Sequence, residues 1–376
     1  MSSHGLPSPD PALAETILVE DQPVAAPGNV APPRKQRALL RYLGKRLLTT
    51  LGLLLGATVV SFILVQAVPG DPVSTNLSDA ALNDPAAVAA FEARWGLDQP
   101  LPVQYFTYLG NLLQGDLGTS QQTGRPVLTD LLDYVPATLE IAVPTLVLSL
   151  LIGASLGLIG AVKHNRWQDQ GIRVVSLLGL STPPFWISIL ALYLFFFILG
   201  IAPNGGRLSP EFSPPESITG MYTVDALLAG NIPLFWDAAR HTMLPVAVLT
   251  LTTVAMLTRF VRSAILEVLR KDYITAAHAK GLSGGTVLIK YLLRAGLVPI
   301  ITVIGISFAS LLSGTVLVES IFSWPGLGQY AYMSATALDR PAILGVTLFV
   351  ATVYLIINLI VDLLYGILDP RVRLTR

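Results

Sequence analysis

Cysteine is absent from this 376-residue chain, which excludes disulfides, thiolate metal sites and a cysteine nucleophile. Histidine is scarce: His4, His164, His241 and His278 share no spacing that would seat a metal ion. The letters GxSxG occur as GASLG (153–157), inside an apolar run, and as GLSGG (281–285), neither of them after a strand as a nucleophile elbow requires, and no HExxH helix occurs. Nor is there a GxxxxGKS/T phosphate loop, so the chain does not hydrolyse ATP by that route. Charge is thin as well, at 13% of residues, where a soluble domain carries about a quarter. Within the long apolar runs the only acids are Glu140 and Asp362, each near the end of a run. A proton-driven carrier would place ionisable relays at mid-depth, so a secondary carrier is disfavoured. The missing nucleophile and metal cluster disfavour a membrane enzyme.

What the chain has instead is apolar length. Hydrophobic residues make up 52% and mean hydropathy is +0.63. About 20 apolar residues cross a bilayer as a helix, and six stretches qualify, at about 47–68, 137–162, 174–200, 243–264, 296–318 and 342–367. The first, LLTTLGLLLGATVVSFILVQAV, holds no charge. It reads as an uncleaved span, because it is longer than a signal core and a long segment precedes it. With the N-terminus inside, the inner segments carry 19 of the 24 Lys and Arg residues and the outer segments 5. The positive-inside rule then puts both termini in the cytoplasm.

Residues 1–36, rich in Pro, Ala and small polar residues, read as a disordered cytoplasmic tail, and 368–376 as a second tail. The first outer segment, 69–136, carries eight acids and two arginines. Val88, Phe91 and Trp95 recur there at helical spacing, so a small helical cap on the outer face is expected, grouped with the first span as a unit 37–136. The core unit is then 137–367. The second outer segment, 201–242, is turn-rich and expected to be mostly irregular. The third, SWPGLGQY at 323–330, breaks helix at Pro325, Gly326 and Gly328 beside Trp324, and reads as a re-entrant gate loop or a plain turn. Small residues four apart (Gly52 and Gly56, Gly153 and Gly157, Gly305 and Ala309, Ser310 and Gly314) suit close helix packing.

One stretch stands apart from the apolar runs: DYITAAHAKGLSGGTVLIKYLLRAGLVP, residues 272–299. Asp272 is placed to cap a short helix, Gly281 suits the left-handed residue that ends one, and Ser283 is placed to cap the next helix, which leads to Pro299. Thr275, Ala276 and Ala277 give a low-profile surface, with His278, Lys280 and Lys290 as donors at its rim. A capped helix–glycine–helix is more than a solvated loop needs, so this segment is expected to dock a cytoplasmic partner.

This stretch resembles the EAA loop of ABC importer permeases. Ala276, Ala277, Gly281 and Pro299 fall in step with that pattern, while Thr275 stands where the leading Glu is usual. Further stretches match the peptide/nickel branch, first-permease type: VPGDP (68–72), GLDQPLPVQY (96–105), GDLGTS (115–120), RPV to PATLEIA (125–142), STPPFWISI (181–189), VESIFSWPGLG (318–328) and NLIVDLLYGILDPRVR (358–373). The resemblance covers about residues 40–373. It implies an all-α integral membrane protein with the six transmembrane helices of a type I ABC importer permease, in the cell membrane of a prokaryote. Implied partners are a second homologous permease, two cytoplasmic ATPases that bind ATP and Mg, an extracytoplasmic binding protein, a di- or oligopeptide substrate and membrane lipid. No cofactor in the chain itself and no nucleic acid is implied. Asp272, Tyr273, Thr275, Ala276, Ala277, His278, Lys280, Gly281 and Leu282 would form the coupling helix. Ser307, Ser310, Ser313 and Thr315 are candidates for lining the pathway, and Trp324, Pro325, Gly326 and Gly328 for the outer gate. Nickel is the main rival substrate, but no histidine-rich path accompanies it.

Overall fold

The computed structural model describes residues 35–368, apart from 68, 69, 72, 75 and 76. Two compact units divide after Gly44; the first enters the described residues only at the start of the first helix, and the second begins at Lys45. Among the described residues every regular element is helical. The chain-terminal segments 1–34 and 369–376 lie outside the described residues, whereas Lys35 and Gln36, expected in the tail, already belong to a helix.

Helix α1 is Lys35–Ala67. The cap comes next as α2, Pro85–Trp95, and α3, Leu101–Leu113. Each starts with proline in its first turn, where the missing N–H costs nothing, and Gly96 ends α2 in the left-handed conformation. Then come α4, Val127–Val162, and the pair α5, Trp167–Ser181, and α6, Pro184–Ala191, which continues as a π-helical stretch Leu192–Ile198. The remainder is α7, Tyr222–Leu228; α8, Ile232–Leu269; α9, Asp272–Ala279; α10, Arg294–Gly314; α11, Val316–Ile321; α12, Leu327–Thr336; and α13, Arg340–Leu368.

Among the described residues four helices are long and apolar enough to cross a membrane by themselves: α1 from Gly44, α4, α8 and α13 up to Leu364. The expected straight span at 174–200 is instead broken, since α5 and α6 meet at 93°. Pro183 and Pro184 explain the break, because proline removes a helix donor and pushes the residue before it out of helical conformation. Counting the bent pair as one span gives five. The expected span 296–318 holds a shorter apolar helix, Pro299–Ser313, and ends at Thr315 before α11 begins. The second and fourth spans are longer than expected at their starts, Val127 rather than 137 and Ile232 rather than 243. Their first turns carry polar residues, which an apolar-length criterion leaves out. The 201–242 segment is accordingly irregular only until Met221.

The bundle is organised on α4 against α8, which run parallel. A Cβ at Gly153 would sit 2.8 Å from the Leu257 Cβ, and one at Gly157 would sit 2.8 Å from that of Val261. This ladder therefore serves internal packing, as does Gly305, whose Cβ would meet Val361 at 2.6 Å. Gly52 and Gly56 have nothing within 4 Å. At one end of the bundle lie the cap, the 201–231 segment and α11–α12; at the other lie α9 and the 163–166 turn. The cap is held to α1 by aromatic contacts: Phe62 meets the Tyr105 ring edge-on at 5.4 Å and stacks near Tyr108 at 6.4 Å.

Candidate functional site

The α9 segment folds largely as its residues dictate. The helix Asp272–Ala279 ends in a Schellman motif: Leu282 N–H donates to the Ala277 carbonyl at 3.3 Å and Gly281 N–H to that of His278 at 2.9 Å. Gly281 has φ +74, which only glycine adopts without strain. Ser283 accepts from Thr286 N–H at 3.4 Å and starts the next turn. A π-helical stretch, Val287–Leu293, then carries the chain into α10. One expectation fails here. The N-cap is Lys271, with no side-chain capping bond, and Asp272 is the first helical residue. It still complements the helix dipole from that position.

Burial divides the helix into two faces. Ile274 and Ala277 are buried in an apolar cluster with Val261, Ile265, Val287 and Leu292, against which Leu282 packs. Asp272, Tyr273, Thr275, Ala276, His278, Lys280 and Gly281 are exposed, and His278 is tied by its ring Nδ1 to the Ile274 carbonyl at 2.9 Å. Ala277 therefore does not belong to the outward surface with Thr275 and Ala276. The helix period turns it toward its own chain, where it fixes the short helix to α8 and the π-helical stretch. Nearby, Arg262 of α8 makes a two-point ion pair with buried Asp169, at 2.6 and 2.8 Å. That pair holds the 163–169 turn beside α8.

The other end of the bundle gathers the motifs that are scattered along the chain. Trp324 is fully buried and donates from its indole N–H to the Ala137 carbonyl at 2.7 Å. Leu327 N–H donates to the Thr138 hydroxyl at 2.7 Å, which itself donates to the Glu319 carboxylate at 2.8 Å. Glu319 also accepts from Thr315 at 2.7 Å and from Gln329 N–H at 2.9 Å. A Cβ at Gly326 would lie 2.6 Å from this carboxylate, and one at Gly328 would lie 2.7 Å from the Val316 Cα. Both glycines are thus required by close approach, and most of 323–330 is buried or half-buried. Proline and glycine free the backbone to wrap around Glu319, and Thr138 joins the wrap to α4.

Two further acids anchor the same end. Asp339 accepts from the Ser120 hydroxyl at 2.5 Å and from Gln122 N–H at 3.1 Å. Asp130 accepts from Thr123 at 2.7 Å and Tyr330 at 3.1 Å. Glu140, expected near a helix end, lies well inside α4, because the helix starts earlier. It is buried against buried Arg207 at 2.6 Å. Thr223 N–H adds a bond to Glu140 at 2.6 Å, and the Arg207 guanidinium sits 3.5 Å from the Tyr222 ring centroid. Beside this pair Asp225 is buried. Burial pushes its carboxyl up, but the Thr219 hydroxyl and the amides of Thr219, Gly220 and Ile218 outweigh that and hold it below the ordinary range. Sequence reasoning does not single out Glu319, Asp130, Asp339 and Arg207 as anchors. The one available signal is an acid, Glu319, followed by the glycine pair its carboxylate excludes from bearing side chains.

The candidate pathway residues do not share one environment. Ser307 and Thr315 are buried, Thr315 being bound to Glu319, while Ser310 and Ser313 are exposed. Ser313 bonds back to the Ala309 carbonyl at 3.1 Å.

Among the described residues the chain is an all-helical bundle with several helices long and apolar enough to cross a membrane, the architecture of an integral membrane protein. Residues 136–374 match the family described as the binding-protein-dependent transport system inner membrane component, and residues 39–142 its N-terminal region. The chain belongs to that family, a multi-pass permease component without ATPase motifs of its own. It is 44% identical over 317 residues to the "Probable D,D-dipeptide transport system permease protein DdpB" of Escherichia coli, covering 84% of this chain and 93% of that one. It is 38% identical over 335 residues to the "Dipeptide transport system permease protein DppB" of Alkalihalophilus pseudofirmus, covering 89% of this chain and all of that one. Among solved structures, the inward-facing MetNI methionine ABC transporter aligns at TM-score 0.47 and 16% identity, over 64% of this chain and 97% of that chain.

Proposed function

We propose that this chain is the first permease of an ATP-driven importer that takes up short peptides, with the outward face of α9 as the docking surface for an ATPase subunit. The named relatives support the peptide class. The observation that carries the docking surface is the two-faced α9: its apolar back is anchored on the bundle while Tyr273, Thr275, Ala276 and Lys280 stand exposed. In this reading two cytoplasmic ATPases bind ATP and Mg, a second homologous permease completes the channel, and an extracytoplasmic binding protein delivers peptide to the cap end. Both termini face the cytoplasm, in keeping with the basic asymmetry. ATPase closure drags α9, and α9 drags α8 and α10 through Ile274 and Ala277. Nucleotide binding energy thereby shifts a bundle between two states. The 323–330 wrap is the outer gate, and Ser307 and Ser310 of α10 are pathway candidates.

The test compares neighbours on α9 in the fully assembled importer. Ala276→Glu is expected to cut ATPase co-purification and uptake of a labelled dipeptide at least tenfold, while the melting temperature of the purified chain stays unchanged. Ala277→Glu is expected to lower that melting temperature, because it forces a charge into an apolar cluster. Normal uptake with Ala276→Glu would sink the docking assignment. Normal assembly with no peptide uptake by the unmutated importer would sink the substrate.

A further inference from the structure

The cap closes over the end of α1 and the start of α13 around a cavity of about 430 Å³, within the range of small-molecule sites. Its wall joins segments far apart in sequence. Gln66 lies in the last turn of α1, Gln99 and Asn111 come from the cap, Asp116 from the GDLGTS turn and Arg340 from the start of α13. Two of the carboxamides are already joined: Gln66 donates to the Gln104 side chain at 3.1 Å, and Gln104 donates to the Gln99 backbone carbonyl at 2.7 Å. Phe62 and Leu344, packed together with Val65, supply an apolar floor. Tyr108 also lines the cavity, and its buried hydroxyl has no partner among the described residues.

This lining has a chemical signature. Carboxamide side chains offer donor and acceptor together, matching the repeating N–H and C=O of a peptide backbone. One acid and one arginine offer the two charges that a short free peptide carries at its ends, and arginine suits a carboxylate by its forked geometry. Apolar walls accept side chains without selecting among them. We propose that this cap cavity binds a short free peptide as its zwitterion, with Asn111 and Gln99 on the backbone amides, Arg340 on the carboxylate and Asp116 on the ammonium. The inference goes beyond the transport reading, since the cavity lies between the cap and the ends of α1 and α13; the two share the ligand class. Such a site gives peptide a holding place on the permease before it enters the spans.

The experiment uses the full chain in phosphatidylcholine nanodiscs, without ATP or binding protein, titrated with isotope-labelled trialanine. Saturable binding is expected, weakened at least tenfold by Arg340→Gln and by Asn111→Leu, and abolished by Thr107→Trp, which fills the cavity from an exposed wall position. N-acetylated, C-amidated trialanine is expected to bind at least tenfold more weakly. No saturable binding overturns the proposal. So does binding that Asn111→Leu and Thr107→Trp leave intact, which would place the peptide elsewhere in the chain. Equal binding of the capped peptide overturns it too. An importer that takes up peptide normally while its permease shows no cap binding overturns this inference alone. Cap binding by the permease of an importer that takes up no peptide leaves the cavity assignment standing and overturns the transport reading.

Discussion

The two ends of this molecule use polar residues in opposite ways. At the cap end, Asp130, Glu140, Glu319 and Asp339 are buried, and their oxygens are taken up by hydroxyls, backbone amides and Arg207, apart from Asp130 Oδ1, which has only the Arg125 guanidinium 3.4 Å away. At the α9 end, polar and small residues face outward, and only Ile274 and Ala277 bind the helix to its own chain. A buried acid that finds several donors fixes the groups around it, because leaving any of them unpaired in a dry interior is costly. An exposed helix held by two apolar contacts is fixed in position but keeps its surface available. The cap end is thus built as a closed internal lattice, the α9 end as a handle.

The largest effect that would break this comparison is expected at Arg207. Arg207→Leu leaves Glu140 buried without its counter-charge, and removing one partner of a buried pair costs about 3–5 kcal/mol. Thermal unfolding of the purified chain should show a marked loss of stability, and a loss below about 1 kcal/mol would mean that water reaches Glu140. The salt bridge Lys271–Glu267, exposed at the other end, should contribute at most about 0.5 kcal/mol when broken by Lys271→Ala.

An intermediate effect is expected from paired glycine substitutions. Gly326→Ala sets a Cβ 2.6 Å from the Glu319 carboxylate, an overpacking of the kind that costs about 1–3 kcal/mol. Gly281→Ala meets nothing within 4 Å and carries only the left-handed backbone strain, about 1 kcal/mol. Denaturant titration should rank them in that order. The reverse ranking would mean that the 323–330 wrap is loose.

The smallest expected effect is in pH. Asp225, with its pKa held below the ordinary value, contributes stability that is present above the unfolded carboxyl pKa, about 3.9. That stability is lost as pH falls through the lower folded value. The unmutated chain should therefore destabilise more steeply below about pH 4 than Asp225→Asn, as read by melting temperature against pH. Parallel curves would show that the Thr219 and Gly220 donors do not favour the ionised form.

Helix content, the positions of the long apolar runs, the cap, and the α9–Gly281–Ser283 punctuation are legible in the chain, because each depends on local composition. Apolar length makes a span, proline in the first turn starts a helix, and only glycine sits at φ +74 without strain. The 93° break at Thr182 and Pro183 is less legible, although STPPFW carries the cause: a proline pair breaks or kinks a helix, but the angle depends on what α5 and α6 pack against. The expected outward face of Ala277 fails for a related reason. Thr275, Ala276 and Ala277 are consecutive, and at about 100° per residue no helix presents all three on one side.

What the sequence by itself determined is the class: an apolar, helical, multi-span chain with a short capped helix between two of its spans. What only the tertiary structure decided is which polar residues are buried and with whom. Arg207 and Glu140 are 67 positions apart, Thr138 and Glu319 are 181, and Ser120 and Asp339 are 219. Period and propensity describe neighbours within a few residues. A carboxylate's burial depends on donors delivered by distant segments, and those meet only once the bundle has closed.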